Sequence, residues 1–329
     1  MLIALDAMGG DNAPAEIVAG ALLAQKELNI EVALIGPREV VEAELTRHGE
    51  SPANWQIVHA SEAIAMDEHP AQAVRSKRDA SINVGMDLVK RGVAGAFVSA
   101  GNTGAVMASA LMTLGRIHGI ERPALGTIAP FTEKGVLVLD VGANADVKPT
   151  YLVQFAQMGS VYAERVMGIA SPRVALLNIG GEETKGSELM QDVHGRLRNA
   201  GVNFIGNIEG GEVHHGRADV IVTDGFTGNV AVKVTEGVAD FIFRELRAAL
   251  TSKLRYKMAA MTLRPAFMAL REKMDPRTYG GVPLLGVNGF VMIAHGNSDA
   301  HAIRNALRHA HEGAVSGMLD SIRSYLVKR

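Results

Sequence analysis

The fold class is decided by the first 36 residues, MLIALDAMGG DNAPAEIVAG ALLAQKELNI EVALIG (residues 1–36). They predict a strand over residues 2–6, a helix over residues 14–28 and a second strand over residues 32–35. Both strands are short apolar runs, as expected of strands that are buried on both faces. Pro14 suits the first turn of its helix, where no backbone N–H is needed. A strand, a helix and another strand in this order predict a unit of parallel sheet.

The same alternation continues along the chain. Further strands are predicted over residues 56–58, 95–99, 135–140, 173–178, 203–206, 219–222 and 289–294. Further helices are predicted over residues 80–91, 103–114, 150–167, 187–200, 229–250 and 298–327. This alternation predicts one α/β/α domain over residues 1–329, with a mostly parallel sheet between two helical layers.

Composition narrows the class of protein. The formal net charge is −2, which gives no indication of nucleic-acid binding. The chain has no cysteine, so disulfides, thiolate metal sites and a cysteine nucleophile are excluded, and a cytoplasmic location is permitted. Its start lacks a basic n-region and meets an acid at Asp6, so we expect no signal peptide. Residues 92–115 carry no charge, but SAGNTG in their middle favours a strand, a loop and a buried helix over a membrane span.

Residues 251–274 differ from the rest of the chain, because lysine and arginine far outnumber acids there. Helical spacing on either side of Pro265 predicts a basic amphipathic helical hairpin that protrudes from the domain and is interrupted at the proline. The hairpin suits an anionic membrane, an acidic partner, or a dimer interface with a solvated basic face. The residues predicted to contact a membrane or partner are Lys253, Arg255, Lys257, Arg264 and Phe267.

Two loops after early strands are rich in glycine, asparagine and threonine. Ligands of parallel sheets bind beyond the carboxyl ends of strands. Residues 6–14 offer two glycines and a helix start to an anion, although a structural turn is the alternative. Residues 99–105 suit a phosphate or an oxyanion, although a helix cap beside tightly packed helices is the alternative. The predicted ligands of phosphate or oxyanion here are Asp6, Gly9, Gly10, Asn12, Gly101, Asn102, Thr103 and Gly104.

Three later loops have the same character. Residues 140–146 contribute Asn144, and residues 178–186 contribute Lys185, which is either an anion ligand or an exposed loop lysine. Residues 223–229 lead into a helix and contain two candidate catalytic side chains. Asn229 is a candidate oxyanion donor, and Asp224 is a candidate orienting group for either Asn229 or Lys185. The alternative for this loop is an Asx-type helix cap. Gly228 and Lys233 complete the predicted set of substrate-binding residues.

Several common signatures are missing from the sequence. There is no G-x-G dinucleotide fingerprint, no P-loop, no G-x-S-x-G elbow and no H-E-x-x-H motif. The histidines do not have the spacing of metal ligands, so we predict no metal site and no cofactor. His295 is the exception that merits attention, because it follows a predicted strand.

Together the motifs resemble those of the phosphate acyltransferase family, that is, acyl-acyl-carrier-protein:phosphate acyltransferase. The resemblance covers essentially the whole chain, and residues 252–274 are its least motif-like part. It runs through LDAMGGDNAP (5–14), SAGNTGA (99–105), VGAN (141–144), NIGGEETKG (178–186), IEGGE (208–212), DGFTGNVAVKVTEG (224–237) and YGGVPLLGVNGFVMIAHGNSDAHAIRNA (279–306).

The resemblance implies a Rossmann-like α/β/α fold, a homodimer, and an acyl-carrier-protein thioester and inorganic phosphate as substrates. Lys185 and Asn229 match the family's catalytic positions. It also implies peripheral association with the inner face of the cell membrane, where an integral glycerol-3-phosphate acyltransferase uses the acyl phosphate for phospholipid synthesis. An isocitrate-type dehydrogenase and a non-enzymatic membrane-surface scaffold are the alternatives; the scaffold leaves the loops unexplained.

The chemistry favours direct attack of phosphate on the thioester, without an acyl-enzyme, because no cysteine or serine elbow is available. We expect phosphate at residues 9–10 and 101–104 with Lys185, and the oxyanion at Asn229 with N–H groups near Gly228. This arrangement requires all five loops to meet at one edge of the sheet. An acidic acyl-carrier protein needs a basic patch, either residues 75–78 or the predicted hairpin.

Overall fold

A computed structural model describes residues 1–273 and 278–327. Its strands are β1 (Leu2–Asp6), β2 (Glu31–Gly36), β3 (Gln56–His59), β4 (Ala96–Ser99), β5 (Ala124–Ala129), β6 (Val136–Leu139), β7 (Arg173–Asn178), β8 (Asn203–Glu209), β9 (Val220–Val222), β10 (Val282–Leu285) and β11 (Phe290–Ile293). Its α-helices are α1 (Ala15–Leu28), α2 (Arg38–Arg47), α3 (Pro70–Ser76), α4 (Ser81–Lys90), α5 (Thr103–Thr113), α6 (Pro149–Arg165), α7 (Glu188–Leu197), α8 (Gly225–Thr251), α9 (Leu254–Lys273), α10 (Ala300–Val315) and α11 (Met318–Val327). Short 3₁₀ helices cover Pro52–Asn54 and Gly210–His215.

The strands form one sheet in the order β3-β2-β1-β4-β11-β10-β5-β6-β9-β7-β8. The first five of these strands run parallel to one another. β10 is antiparallel to both β11 and β5, and β6 is antiparallel to β5. β6, β9, β7 and β8 are again mutually parallel. The two parallel sets therefore run in opposite directions, and their carboxyl ends lie at opposite edges of the sheet.

The predicted α/β/α class with a mostly parallel sheet is confirmed. All nine predicted strands are present within a few residues of their expected ends. The predicted strand, loop and helix over residues 92–115 correspond to β4 and α5. The strands that sequence analysis missed are β5 and β10, the antiparallel pair at the centre of the sheet. None of the helices in the described ranges is long and apolar enough to cross a membrane.

Alternate side chains of β1 belong to different cores, one on each face of the sheet. Ile3 and Leu5 pack in the larger core, together with residues of α1, α6 and α10 such as Phe155 and Ile303. Ala4 packs in the core on the other face, with residues of α4 and α5. This two-residue period is that of a strand covered by helices on both sides.

The basic segment has a different shape from the predicted one. α9 continues through Pro265 to Lys273, so the predicted interruption at the proline is wrong. A proline removes the hydrogen bond to the carbonyl four residues earlier, that of Met261, but Met261 is 72% exposed and water can satisfy the carbonyl. α8 and α9 contact each other and turn between Thr251 and Leu254, so the hairpin consists of these two helices. Met274 lies outside the described residues.

α8 and α9 bury little of their apolar surface. We define the apolar face of α8 as the exposed stripe Phe226, Val230, Val234, Val238, Phe241 and Ile242. α9 exposes a second set, Leu254, Met258, Met261, Leu263, Met268 and Leu270. Exposed apolar surface of this extent is typical of an interaction site.

Candidate functional site

The loops that follow β1, β4 and β11 meet at one edge of the sheet, and we call them the first loop group. The N–H of Asp11 donates to the carbonyl of Gly296 at 2.7 Å, and the N–H of Ala294 donates to the carbonyl of Ser99 at 2.8 Å. The Asn12 side chain reaches the carbonyls of Asn297 and Ser298 at 3.4 and 3.5 Å. Predicted site residues of the two N-terminal loops are therefore brought together here.

Asp6 lies at the centre of the first loop group. It is only 1% exposed. Its carboxylate accepts hydrogen bonds from the Ser99 hydroxyl at 2.7 Å and from the N–H of Met8 at 3.1 Å. Burial raises the pKa of the Asp6 carboxyl, and hydrogen bonds, including one from the Ser81 hydroxyl, partly offset this effect. A Cβ at Gly9 would lie 2.5 Å from an Asp6 oxygen, so only glycine fits beside this carboxylate. Asp6 therefore shapes the loop from within.

Asn102 is the N-cap of α5, which was the alternative reading of its loop. Its Oδ1 accepts from the N–H of Ala105 at 3.1 Å, and its Nδ2 donates to the carbonyls of Met66 and Glu68, both at 3.1 Å. The Asn102 amide is thus committed to protein partners. Gly104 packs against Pro70, and Thr103 is exposed at the start of the helix.

The loops that follow β6, β7 and β9 form the second loop group. At its centre the buried Asp140 accepts five hydrogen bonds. Oδ1 accepts from the N–H groups of Leu125, Gly142 and Ala143 at 3.0 to 3.2 Å. Oδ2 accepts from both the backbone and the side-chain nitrogen of Asn144, at 2.7 and 2.9 Å. Burial raises the pKa of the Asp140 carboxyl, and these bonds partly offset it. The Asn144 amide is consumed by this contact and by the carbonyl of Pro123.

The start of α8 is fixed on the loop that Asp140 holds. The N–H of Gly225 donates to the carbonyl of Asn144 at 2.7 Å, and a Cβ at Gly228 would collide with the Asp140 carbonyl oxygen. Asp224 caps the helix by accepting from the N–H of Thr227 at 2.8 Å, as in the Asx alternative for this loop. Asn229 is exposed on the second turn, directly after these contacts.

Lys185 is exposed at the end of a folded loop in the second group. Its N–H donates to the carbonyl of Glu182 at 3.1 Å, and its own carbonyl accepts from Asn178 Nδ2 at 3.1 Å. A Cβ at Gly180 would lie 2.7 Å from Lys185 Cγ, so the base of the lysine side chain lies over this glycine. The loop therefore presents the ammonium group and keeps its own backbone polar groups paired.

α8 connects the two loop groups. It begins at the second group, and Lys233 in its third turn lies 3.4 Å from Nε2 of His295 in the first group. Eight residues of helix rise about 12 Å, close to the roughly 13 Å length of a four-residue strand. Lys233 also pairs with Glu236 at 2.8 Å, which neutralises part of the charge expected to bind an anion.

The expectation that all five loops meet at one edge is wrong. β6, β7 and β9 run opposite to β1 and β4, so Lys185 and Asn229 follow strands that end at the edge away from Gly10 and Asn102. The missed strands β5 and β10 are the cause, since three successive antiparallel pairings, β11 with β10, β10 with β5 and β5 with β6, reverse the direction of the second set of strands. In the described ranges, α8 spans the distance between the two loop groups and brings Lys233 to His295.

Sequence analysis also overlooked Asp140 and Ser99 as site-forming residues. Ser99 ends β4 and accepts from the N–H of Gly101 at 3.0 Å. Asp140 follows β6 and accepts from the N–H groups of the loop after it. A signal was present, because Leu-Asp closes both β1 and the β6 segment and precedes a glycine-containing loop in each case. Two buried aspartates in equivalent positions now explain why both loops keep a fixed shape.

Comparison with known proteins identifies the chain's relatives. A family model described as "Fatty acid synthesis protein" matches residues 1–320. The phosphate acyltransferase of Desulfitobacterium hafniense is 51% identical over 327 residues, covering 99% of this chain and 98% of the relative. That of Heliobacterium modesticaldum is 52% identical over 327 residues, with 99% and 98% covered.

Solved structures show the same fold at low sequence identity. The EutD phosphotransacetylase from Staphylococcus aureus matches with a TM-score of 0.64 and 15% identity, covering 96% of this chain and 94% of that one. A 4-hydroxythreonine-4-phosphate dehydrogenase from Klebsiella pneumoniae matches with a TM-score of 0.57 and 14% identity, covering 95% and 99%. The architecture is thus shared by enzymes of different chemistry.

Proposed function

Because the chain belongs to the phosphate acyltransferase family and is an acyltransferase that acts with phosphate, we propose that it transfers a fatty acyl group from acyl-carrier protein to inorganic phosphate. The product is an acyl phosphate for phospholipid synthesis. The observation that carries this proposal is the exposed Asn229 on a helix start that Asp140 and its loop hold rigidly. A donor fixed in advance is what a developing oxyanion requires.

The proposed reaction needs positioning more than proton transfer. Phosphate has a second pKa near ~6–7, by analogy with phosphate monoesters, so its dianion is available at neutral pH. Its oxygen attacks the thioester carbonyl, the C–S bond of the tetrahedral intermediate breaks, and the thiolate leaves and takes a proton from solvent. A thiol of pKa near ~8.5 leaves with little assistance. The difficulty is to bring a dianion to a carbonyl and to stabilise the charged intermediate.

Lys185 and Asn229 divide these tasks in our proposal. Lys185 offers a mobile cation above an ordered loop, which suits a phosphate dianion. Asn229 offers an amide donor, which suits the oxyanion of the intermediate. Both residues belong to the second loop group, so the reacting carbonyl lies beside the first two turns of α8. Residues of the first loop group then act at the third turn of α8, where Lys233 meets His295.

The test is an assay of thiol release from palmitoyl-acyl-carrier protein by the purified chain, with and without inorganic phosphate. We expect release only with phosphate, together with an acyl phosphate resonance in ³¹P NMR. Release without phosphate, or an acylated enzyme trapped by rapid quench in its absence, would contradict direct transfer.

The acidic carrier protein requires a basic contact surface. Lys77 is held by Glu68 at 2.6 Å, which leaves the exposed Arg75 and Arg78 as the available cations of that patch. On α9, the exposed Arg255 and Lys257 are the second candidates. Reversing Arg255 and Lys257 to Glu is expected to slow use of the carrier protein in a salt-dependent manner. A change confined to binding of anionic vesicles would instead assign α9 to the membrane surface.

A homodimer and a membrane-surface location complete the proposal. The apolar face of α8 suits a second copy of the chain, because a stripe of valine and phenylalanine would otherwise remain in water. α9 carries exposed methionines and leucines beside its cations, as expected of a helix that rests on an anionic inner membrane face. An integral glycerol-3-phosphate acyltransferase at that face would receive the acyl phosphate.

A further inference from the structure

The loop that carries Lys185 is held by three side-chain amides rather than by its own backbone alone. Asn178 Nδ2 donates to the carbonyl of Lys185 at 3.1 Å. Gln191 Nε2 donates to the carbonyl of Thr184 at 2.9 Å. Asn207 Nδ2 donates to the carbonyl of Glu182 at 2.8 Å. The same Glu182 carbonyl accepts the N–H of Lys185 at 3.1 Å, so Asn207 and Lys185 share one acceptor.

Asn207 is the buried member of the three amides. It is 6% exposed, and it lies on β8, outside the loop it binds. Its Oδ1 faces Nδ1 of His194 at 2.9 Å, and His194 on α7 is 5% exposed. The His194 ring also packs edge-on against Phe204 with 5.1 Å between centroids. Two elements that do not carry the lysine therefore converge on its loop.

The contacts also define the orientation of both side chains. Because Nδ2 of Asn207 must donate to a carbonyl, its Oδ1 is the atom that faces His194. Oδ1 only accepts, so Nδ1 of His194 must carry a hydrogen. A single directed series of hydrogen bonds runs from His194 through Asn207 to the Glu182 carbonyl. A series in which each member sets the orientation of the next is rigid when all members are satisfied.

We propose that His194 and Asn207 are positioning residues for Lys185, a role that rests on the proposed function of that lysine. They lie behind the loop and do not touch substrate. They hold the Glu182 carbonyl in place, and this carbonyl accepts the hydrogen bond from the Lys185 N–H. Without them the loop keeps its fold through Asn178 and Gln191, but Lys185 samples more positions. A misplacement of about 1 Å is enough to cost on the order of 10²-fold in rate.

The first experiment is a double-mutant comparison by phosphate-dependent thiol release. Asn207→Ala is expected to lower kcat by at least tenfold in the wild-type background, and by less than twofold in Lys185→Ala, because there is no longer a lysine to position. Gln157→Ala is the matched control, since this amide is 8% exposed and donates to the carbonyl of Ala200, away from the loop. An equal loss from Asn207→Ala in both backgrounds would make its role purely structural and overturn the proposal.

Replacement of the histidine supplies the rescue test. His194→Asn keeps a donor at the position of Nδ1 and is expected to retain kcat within about threefold, whereas His194→Leu is expected to lose about tenfold, as Asn207→Ala does. Equal activity of the Asn and Leu variants would contradict a directed hydrogen bond from residue 194.

Amide hydrogen exchange separates this proposal from the assignment of function. Exchange of the Lys185 N–H should become at least tenfold faster in Asn207→Ala and remain unchanged in Gln157→Ala. Unchanged exchange in Asn207→Ala would overturn the positioning role, whatever the assay shows. If the wild-type chain releases no thiol with phosphate, the proposed function fails, and the exchange result still decides whether the pair fixes the loop.

Discussion

Single buried carboxylates determine the shape of both loop groups. Asp140 satisfies four backbone N–H groups and one amide, so a loop without regular structure has one conformation. Asp6 serves the first group in the same manner. A buried charge is costly unless it is well hydrogen-bonded, and the raised pKa of each carboxyl reflects this cost.

Gly228 is predicted to tolerate no side chain. Gly228→Ala places a Cβ against the Asp140 carbonyl, which cannot move without loss of its loop. We expect a loss of about 1–3 kcal/mol in the free energy of unfolding, measured by urea denaturation. Gly237→Ala is the control on the same helix, with nothing within 4 Å of its added Cβ. It should gain about 0.5–1 kcal/mol from helix propensity, and a similar loss in both variants would refute the steric argument.

Asn229 is predicted to act on the rate and not on the fold. Asn229→Ala is expected to lower kcat about 10²–10³-fold in the phosphate-dependent assay, as for removal of one oxyanion donor. Because Asn229 is exposed, the thermal unfolding midpoint of the Asn229→Ala variant should stay within a few degrees of the wild-type value. Asn102→Ala is a useful comparison, since loss of that cap is expected to cost about 1 kcal/mol of stability. Near-normal turnover of Asn229→Ala would remove it from the catalytic pair.

At the scale of elements, most strands and helices followed from hydrophobic patterning, but the strand directions did not. Sequence analysis did not predict α2 and α3, and the single helix predicted over residues 298–327 is two helices, α10 and α11. β5 and β10 have no distinct pattern, since Ala124–Ala129 contains glycine and threonine and Val282–Leu285 contains proline. Strand direction depends on which neighbours pair, which is a property of the assembled sheet. The sequence therefore indicated the individual candidate residues, but it did not predict that they would lie in two groups at two edges of the sheet. Lys185 and Asn229 still belong to one group.

The ion pair between Arg173 and Asp219 joins β7 to the residue before β9. It predicts how the free energy of unfolding depends on pH. Burial raises the pKa of Asp219, but the hydrogen bonds from Arg173 outweigh it, and the net pKa lies below its ordinary value. A lowered folded pKa stabilises the fold above the unfolded value of about 3.9, and the contribution disappears as pH falls through the folded pKa. Asp219→Asn should thus lower the free energy of unfolding by about 1 kcal/mol at pH 7, and by progressively less below about pH 4. This magnitude allows for solvent screening at the half-exposed arginine.

Chemical denaturation between pH 2 and 7 measures this difference. Asp192→Asn is the matched control, because Asp192 pairs with Arg196 on the exposed face of α7. Exposed pairs contribute little, so its curve should follow the wild type closely. A constant penalty for Asp219→Asn at every pH would show that the charge is not responsible.

At the scale of the whole molecule, the α8–α9 hairpin is the part whose exposed apolar surface calls for a partner. Phe241→Glu on the apolar face of α8 is expected to convert dimer to monomer, because a charge would be buried between two copies. Light scattering at micromolar concentration measures the change. Asp240→Lys, at an exposed position about 100° around the helix from Phe241 and outside the defined apolar face, should leave the mass unchanged. A wild-type chain that is monomeric under the same conditions would contradict the proposed dimer.

The span of α8 between the two loop groups has a consequence for variation in length. Each residue of an α-helix turns the next by about 100°, so a register change between Gly228 and Lys233 cannot be absorbed locally. One inserted residue would swing the lysine about a quarter-turn off His295 while the anchored end stayed against Asp140. Beyond Glu236 most residues of the helix are exposed, and insertions there would rotate the hairpin. The number of residues between Gly228 and Lys233, more than their individual chemistry, therefore determines how the two loop groups are positioned relative to each other.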